Sequence, residues 1–455
     1  MNSAVPARSS MRRKVAIVVV LAVLLLGVAV RVAVVGPGPL RFSEGELVPL
    51  VSYRGTDPTG VPRALRDASL VTRGEYLARA ADCMACHTAV DGAAFAGGLA
   101  LHLPFGYLYS TNITPDMRTG IGAYTDDQFL AAVRRGIRAD GTRLYPAMPF
   151  TSYRLMTDAD VLAIKAYLFS LKPVTAAPPR NRLSRLVDQR WTLGAWSALL
   201  SPDERFTPDQ LRSAEWNRGA YVAEALAHCG ECHTPRTIAL SLDNRKKFAG
   251  ALTAGWRAYN ITSDPATGIG SWDEKAITGY LSTGHAEGHG SAAGPMGEAV
   301  SASFRHLDPA DLHALVVYLR SVPAIRSADL PAITVAVASP SHRDTRGPAN
   351  PRGKAFYEGA CAACHGWTGE SPFAAYATLT GARAVNDASG INVAEVVLGG
   401  ARRSSPDETP MPAFGRAYSD EDIAAVVNYV TARFGAVPST IAAKDVARLR
   451  GESGG

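Results

Sequence analysis

Apolar and polar residues along this chain form a helical pattern that occurs three times, at 160–168, 311–319 and 422–430. Each copy begins with aspartate, and its apolar side chains recur at the second, fifth and ninth positions, on one face of a helix. The pattern predicts three closing helices, one at the end of each of three repeats. Residues that favour helix N-caps precede the three copies at Thr157, Asp308 and Ser419.

Each repeat also opens with a helix in which Arg-Gly precedes an aromatic residue. Because glycine allows close backbone approach, we expect the opening and closing helices to cross, with the aromatic residue at the crossing. A middle helix is predicted at 125–137, at 271–283 and, shorter, at 393–398. The glycines are Gly74, Gly219 and Gly353, the aromatic residues are Tyr76, Tyr221 and Phe356, and the predicted cap positions are Thr72, Asn217, Asn350, Thr125 and Ser271.

The N-terminal region contains an apolar run at 15–30 that extends through Arg31 to residue 35. Twenty-one helical residues span about 31 Å, close to the thickness of a bilayer core. The run is either a signal peptide or an anchor. No Ala-x-Ala cleavage site follows it, so we expect residues 1–36 to form a basic cytoplasmic flank and a transmembrane helix, with the rest of the chain exported.

Composition adds little to this picture. The 455 residues are 47% hydrophobic and 19% charged, with a net charge of +6, and four basic residues precede the apolar run. The remaining chain has little basic excess, so we expect no nucleic-acid partner. The expected divisions are 1–36 (anchor), 65–175 (first domain), 176–209 (linker), 210–322 (second domain), 323–347 (linker), 348–435 (third domain) and 436–455 (polar tail).

The motif Cys-x-x-Cys-His occurs once in each repeat and accounts for all six cysteines. It is the attachment pattern of c-type haem, in which two thiols one helical turn apart form thioethers and the histidine binds the iron. A zinc knuckle, a redox dithiol or disulfides are alternatives for one CxxC pair, but they do not explain three motifs each followed by histidine. The candidate residues are Cys83, Cys86, His87, Cys229, Cys232, His233, Cys361, Cys364 and His365.

A second iron ligand is expected from a methionine in a proline-marked loop ahead of each closing helix. These residues are Met148, Met296 and Met411. Proline restricts the backbone on both sides, so we expect such loops to be extended and to hold a thioether at the iron. The competing ligands are His102 in the first repeat and His285 or His289 in the second.

The chain closely resembles the trihaem cytochrome c subunits of bacterial membrane-bound dehydrogenases. The motif order is similar to that of class I cytochromes c. The resemblance implies an all-α fold with three tandem class I cytochrome c domains behind an N-terminal transmembrane helix. It also implies the ligand pairs His87 with Met148, His233 with Met296 and His365 with Met411. The segments that resemble the family are 73–79, 110–116, 144–149, 232–236 and 411–414.

The resemblance further implies an electron-transfer subunit with no catalytic residues of its own and three covalent haem c groups. Its expected partner is a periplasmic quinoprotein, flavoprotein or molybdopterin dehydrogenase subunit that oxidises an alcohol, an aldehyde, a sugar or a sugar acid. The expected electron acceptor is ubiquinone or a terminal oxidase, at the periplasmic side of the inner membrane. The alternatives are a multihaem peroxidase or reductase with one open haem, and a cytochrome c subunit of a terminal oxidase.

Overall fold

The computed structural model describes residues 36–452, apart from Pro104, Leu186 and the segments 333–349 and 402–408. Near the N-terminus it also describes Lys14, residues 16–22, Leu25 and Gly27.

Helices dominate the described part of the chain. In chain order, the α-helices are α1 (Leu70–Ala80), α2 (Cys83–His87), α3 (Asp126–Arg135), α4 (Phe150–Tyr153), α5 (Asp158–Ser170), α6 (Trp191–Leu200), α7 (Ala214–Tyr221), α8 (Gly230–His233), α9 (Glu274–Thr283), α10 (Gly294–Ala302), α11 (Pro309–Ser321), α12 (Pro351–Ala360), α13 (Ala362–His365), α14 (Ile391–Gly399), α15 (Asp420–Phe434) and α16 (Ala443–Glu452).

Short antiparallel strands interrupt the helices. Strands β1 and β2 form a hairpin whose other edge pairs with β3, and β4 pairs with β5 and β6 with β7. The strands are β1 (Ala100–Leu103), β2 (Gly106–Tyr109), β3 (Arg182–Leu183), β4 (Ala251–Thr253), β5 (Trp256–Ala258), β6 (His285–Ala286) and β7 (Gly290–Ser291).

The predicted crossing of opening and closing helices is confirmed in each repeat: α1 packs on α5, α7 on α11 and α12 on α15. A Cβ atom on Gly74 would lie 1.8 Å from the carbonyl oxygen of Ala163. The same atom on Gly219 would lie 1.9 Å from the carbonyl oxygen of Ala314. Only glycine allows the helix backbones to approach so closely.

The second repeat differs from the first in the turn ahead of its haem motif. One more residue separates Gly219 from Cys229 than separates Gly74 from Cys83. The π-helical turn Val222–Leu226 accommodates it, because a π-turn inserts one residue into a helix without ending it. The glycine and the motif therefore keep their places despite the longer spacing.

Within the described part of the chain, the buried side chains form two hydrophobic cores. The first core runs from Leu40 to Val322 and combines the first two repeats. The second runs from Phe356 to Leu449 and belongs to the third repeat and α16. The first two repeats therefore pack as one unit.

The predicted fold class needs correction. Tandem cytochrome c domains fit the helices, but the described residues form two cores and short strands, so three separate all-α domains are not shown. The prediction of an N-terminal transmembrane helix is also wrong, since none of the described helices is long and apolar enough to cross a bilayer. Much of the predicted span at 15–35 lies outside the described residues. The uninterrupted stretch 16–22 covers only about 10 Å as a helix.

Candidate haem-binding sites

Each Cys-x-x-Cys-His motif ends on a short helical turn that follows the opening helix of its repeat, and in the second and third motifs the first cysteine is the N-cap of that turn. The turns are Cys83–His87, Gly230–His233 and Ala362–His365. A single turn puts the two cysteines of a motif on neighbouring positions of one face, and the histidine follows at once. This local arrangement is the one that thioether attachment requires.

The three motif histidines make the same hydrogen bond through Nδ1. His87 donates to the carbonyl of Thr111, His233 to that of Tyr259 and His365 to that of Ala377, each with 2.6 Å between nitrogen and oxygen. A neutral imidazole that donates through Nδ1 has its lone pair on Nε2, which is the atom that binds a metal. The hydrogen bond therefore fixes both the tautomer and the ring orientation.

Different elements hold the three acceptor carbonyls. Thr111 follows β2 and Tyr259 follows β5, so each of these carbonyls is held at the end of a hairpin. Ala377 lies in the 3₁₀ turn Ala375–Ala377. The position of the carbonyl is thus preserved while the local fold varies.

Burial controls the protonation of the motif side chains. It lowers the pKa of His87, His233 and His365, which favours the neutral imidazole that a metal needs. It raises the pKa of Cys83 and of Cys229 to about 12, so these thiols are protonated at neutral pH.

All six cysteines are free thiols, so the structure does not support disulfides. A structural zinc site needs four ligands, most of them cysteine and histidine. Within the described ranges, no group of three or more histidine, cysteine, aspartate or glutamate side chains could hold a metal ion. The donor sets therefore fit haem attachment better than a zinc knuckle.

The three candidate methionines are half-buried against the cores. Met148 ends a turn in which its N–H donates to the carbonyl of Tyr145 at 3.0 Å, just ahead of α4. Met411 is paired with Ala401 through two backbone hydrogen bonds of 3.0 Å. Both backbones are therefore fixed by local hydrogen bonds.

Met296 lies in a different local structure from the predicted extended loop. It belongs to the first turn of α10, and Pro295 is one of the first two residues of that helix. Proline suits these positions because it needs no intrahelical N–H partner there. The loop prediction was wrong here because the same proline that restricts a loop also starts a helix.

The competing histidines all have neighbours of their own. The His102 ring packs against Tyr107 with 4.8 Å between ring centroids, and His289 stacks on Trp272 at 4.0 Å. His285 Nδ1 lies 3.0 Å from the hydroxyl of Ser291. These contacts anchor the rings to the hairpins and to α9's N-terminal loop.

The first and second haem motifs lie next to each other. Glu231, inside the second motif, accepts hydrogen bonds from Thr151 Oγ1 at 2.5 Å and Ser152 Oγ at 2.9 Å, both in α4 behind Met148. Conversely, the negative charge of Glu298, in α10 of the second repeat, repels that of Asp82, which precedes the first motif. Burial first, and then Glu298, raises the pKa of Asp82 to about 8. The methionine-bearing segment of each repeat thus contacts the motif of the other.

The second motif also has a buried ion pair beside it. Lys247 Nζ lies 2.7 Å from Glu224 Oε2, and the hydroxyl of Tyr318 donates to Glu224 Oε1 at 2.5 Å. Lys247 and Glu224 are only 4% and 6% exposed. Because the pair is complete and hydrogen-bonded, it leaves no uncompensated buried charge there.

The structure thus brings each sequence-predicted histidine to a fixed orientation beside paired free thiols, and the residues present fit a covalently attached haem. Sequence reasoning missed the acceptor carbonyls of Thr111, Tyr259 and Ala377, because any residue supplies a carbonyl and no side-chain signal marks it. It also missed Glu231, although an ionisable residue inside the motif was a visible signal.

Comparisons with known proteins agree with this interpretation. A sequence model of the cytochrome c family matches residues 71–172 and 351–433. The fructose dehydrogenase cytochrome subunit of Gluconobacter japonicus is 41% identical over 425 residues, covering 88% of this chain and 86% of the relative. The gluconate 2-dehydrogenase cytochrome c subunit of Pantoea cypripedii is 38% identical over 405 residues, covering 84% and 90%. The cytochrome c subunit of the quinone alcohol dehydrogenase of Gluconobacter oxydans is 35% identical over 399 residues, covering 84% and 83%.

Proposed function

Because this chain belongs to the family of haem c-bearing cytochrome subunits of membrane-bound dehydrogenases, we propose that it transfers electrons from a catalytic dehydrogenase subunit to a respiratory acceptor. The single observation that supports this most strongly is the repeated site. Three Cys-x-x-Cys-His turns each have the histidine Nδ1 bound to a backbone carbonyl at 2.6 Å. Three such sites in one chain suit electron relay.

The proposal includes three covalently bound haem c groups, one for each motif. The thioether residues are Cys83, Cys86, Cys229, Cys232, Cys361 and Cys364. The proposed iron ligands are His87 with Met148, His233 with Met296 and His365 with Met411. Support comes from the free thiols, the matched histidine hydrogen bonds and the half-buried methionines.

Bound haem iron supplies a reversible one-electron couple. The chain's own residues hold that couple and set its properties. Each histidine presents Nε2 in one orientation, because its Nδ1 proton is committed to a carbonyl. One cysteine of each motif, Cys83, Cys229 or Cys361, packs against a hydrophobic core. Ligation of the iron by a methionine sulfur favours a higher reduction potential than stronger donors do. No described residue is assigned a proton-transfer or bond-breaking step.

The proposed electron donor is a dehydrogenase subunit of the quinoprotein, flavoprotein or molybdopterin type, and the proposed acceptor is ubiquinone or a terminal oxidase. The proposed location is the periplasmic face of the bacterial inner membrane. The relatives do not favour a peroxidase or reductase. That alternative requires one iron with an open coordination position, and so predicts cyanide binding to one haem in the isolated protein.

The test begins with tagged full-length protein purified from its native host. Mass spectrometry and a pyridine haemochrome assay should give three haem groups, and Cys229→Ala/Cys232→Ala should give two. A dehydrogenase subunit should co-purify, and its substrate should reduce all the haem in a stopped-flow experiment. Fewer than three haem groups, or haem that stays oxidised when the co-purified dehydrogenase turns over, would contradict the proposal.

A further inference from the structure

Tyr259 connects the second haem motif to the third repeat. Its backbone carbonyl accepts the Nδ1 proton of His233 at 2.6 Å. Its hydroxyl donates to Oδ2 of Asp387, in the third repeat, at 3.2 Å. Asp387 is only 1% exposed, so water does not replace this contact. One residue therefore orients the histidine and touches the neighbouring repeat.

Two further contacts from the third repeat hold β5, the strand that ends directly before Tyr259. Arg257 lies in β5, two residues before Tyr259, and its Nη1 is 3.4 Å from Oδ1 of Asp387. The side-chain amide of Asn392 pairs with the backbone of Arg257, accepting from its N–H at 2.8 Å and donating to its carbonyl at 2.9 Å. The strand that ends directly before the His233 acceptor is thus fixed by side chains of another repeat.

The junction also extends to the third motif. The hydroxyl of Ser291, in β7 of the second repeat, donates to the carbonyl of Tyr376 at 2.8 Å. The next carbonyl, that of Ala377, accepts from His365. By contrast, among the described residues no hydrogen bond joins Thr111, the acceptor for His87, to another repeat. The haem at the first motif is therefore an internal control in the same protein for effects of the third repeat on the second haem.

We propose that Asp387 is a positioning residue for His233, acting across the boundary between the second and third repeats. It holds the Tyr259 hydroxyl and the Arg257 guanidinium, and so keeps the Tyr259 carbonyl in line with Nδ1. The reduction potential of the second haem then depends on how the third repeat is docked. This inference rests on the proposed function, since it needs haem at the second motif.

The direction of the effect follows from the chemistry of the ligand. A hydrogen bond from Nδ1 makes the imidazole a stronger donor, which stabilises oxidised iron. When Asp387 no longer holds Tyr259, that bond weakens and the potential of this haem rises. Loss of the buried negative charge acts in the same direction, so a second variant must separate the two causes.

Asp387→Asn, Tyr259→Phe and Asp329→Asn form the test set in full-length holoprotein. Tyr259→Phe keeps the carboxylate and the carbonyl but removes the link between them. Asp329→Asn is the matched control, because Asp329 pairs with the same arginine from an exposed position, 66% exposed, and none of the hydrogen bonds among the described residues joins it to Tyr259. Met296→His, which replaces the proposed thioether ligand, identifies the second haem in the redox titration.

Redox titration and low-temperature electron paramagnetic resonance of the oxidised protein are the readouts. We expect Asp387→Asn to shift the reduction equilibrium of the second haem about tenfold, equal to 59 mV for one electron. Tyr259→Phe should move the same haem in the same direction by a smaller amount, and should change its g-values. Asp329→Asn should leave all potentials in place.

The outcomes separate the two proposals. A wild-type protein with fewer than three haem groups contradicts the proposed function before any variant is measured. With three haem groups present, an unchanged potential of the second haem in Tyr259→Phe overturns the positioning role, even where Asp387→Asn shifts that potential through its lost charge. An equal shift in Asp329→Asn would assign the effect to charge alone and also overturn it. If Asp387→Asn loses haem, Tyr259→Phe decides by itself.

Discussion

The hydroxyl of Tyr221, in the second repeat, donates to the carboxylate of Asp160 in the first, with 2.5 Å between the two oxygens. The relationship is reciprocal, since Tyr76 of the first repeat donates to Asp311 of the second at 2.5 Å. Arg218 completes the contact with a two-pronged ion pair to Asp311, at 2.7 and 2.6 Å. The opening helix of each repeat thus satisfies a buried carboxylate in the closing helix of the other.

Tyr221→Phe tests how much this contact contributes to stability. Asp160 is 5% exposed and, among the described residues, would keep only the N–H of Gly60, at 3.0 Å, as a donor from outside its own helix. A buried acceptor that loses its partner costs about 1–3 kcal/mol. We expect the free energy of unfolding to fall by that amount in urea titrations. Tyr124→Phe is the control, because the described residues offer its hydroxyl no hydrogen bond, and a similar loss there would contradict the argument.

The helix crossing in the third repeat provides a test within a single helix. A Cβ atom on Gly353 would lie 2.2 Å from the carbonyl oxygen of Ala425, whereas one on Gly359 would meet nothing within 4 Å. We expect Gly353→Ala to destabilise the protein by about 1–3 kcal/mol through overpacking. Gly359→Ala should stabilise it by up to about 1 kcal/mol, because alanine favours the helix. Equal thermal midpoints for the two variants would show that the crossing tolerates the methyl group.

Alanine substitution tests each proposed methionine ligand. Met148→Ala, Met296→Ala and Met411→Ala should each convert one haem of three from low-spin to high-spin and leave the total haem content unchanged. Met117→Ala is the control, because Met117 is 68% exposed and lies in a surface loop. Absorption and electron paramagnetic resonance spectra give the spin state. An unchanged spectrum for one variant would remove that methionine and return His102, or His285 and His289, as candidates in its repeat.

The capping box of α15 predicts that the folding stability of the third repeat depends on pH. Hydrogen bonds from Arg352 and Ser419 lower the pKa of Asp422 to about 2, from 3.8 in a model peptide. The carboxylate is charged in both folded and unfolded chains above about pH 4, so its stabilisation is complete there. Between about pH 4 and pH 2 the unfolded chain binds the proton first, and stability is lost as pH falls.

In Asp422→Asn, the thermal unfolding midpoint should therefore fall less steeply between about pH 4 and pH 2 than in the wild type. Circular dichroism measures this midpoint at each pH. Glu358→Gln, which removes a carboxylate of the same repeat outside the capping box, should retain the wild-type slope. If Asp422→Asn leaves the slope unchanged, the acid sensitivity of this repeat has another source.

Local signals in the sequence predicted much of the helical framework. The caps at Thr125, Thr157, Asp308, Asn350 and Ser419 are confirmed, because each side chain accepts from an N–H of the turn that it starts. The glycine crossings are confirmed for the same reason, since the requirement for close approach is local to two helices. The haem motifs needed only the spacing of their cysteines and histidines.

Three caps were wrong because a nearby residue competed for the same role. Ser69 starts α1 instead of Thr72, Ser213 starts α7 instead of Asn217, and Asp273 starts α9 instead of Ser271. Asn217 is buried and uses its amide elsewhere, accepting from the N–H of Asp209 at 2.7 Å. Its role is a contact between segments, which helix periodicity does not reveal.

The contacts between repeats could not be predicted from local patterns. Asp160 and Asp311 were recognised only as first residues of a helical stripe, where a solvated acid is the ordinary expectation. Their partners Tyr221 and Tyr76 are 61 and 235 residues away along the chain. Only the packed structure shows that these acids are buried and shared.

The reciprocal pairing of Tyr76 with Asp311 and of Tyr221 with Asp160 has the form of an isologous interface, in which two copies of one unit exchange the same contacts. A single ancestral unit carrying this tyrosine and this aspartate would self-associate through that face. Gene duplication would then join the two copies on one polypeptide. After such a duplication, a substitution of the tyrosine in one repeat would leave the buried aspartate of the other without its donor, so the two positions of a pair would have to change together.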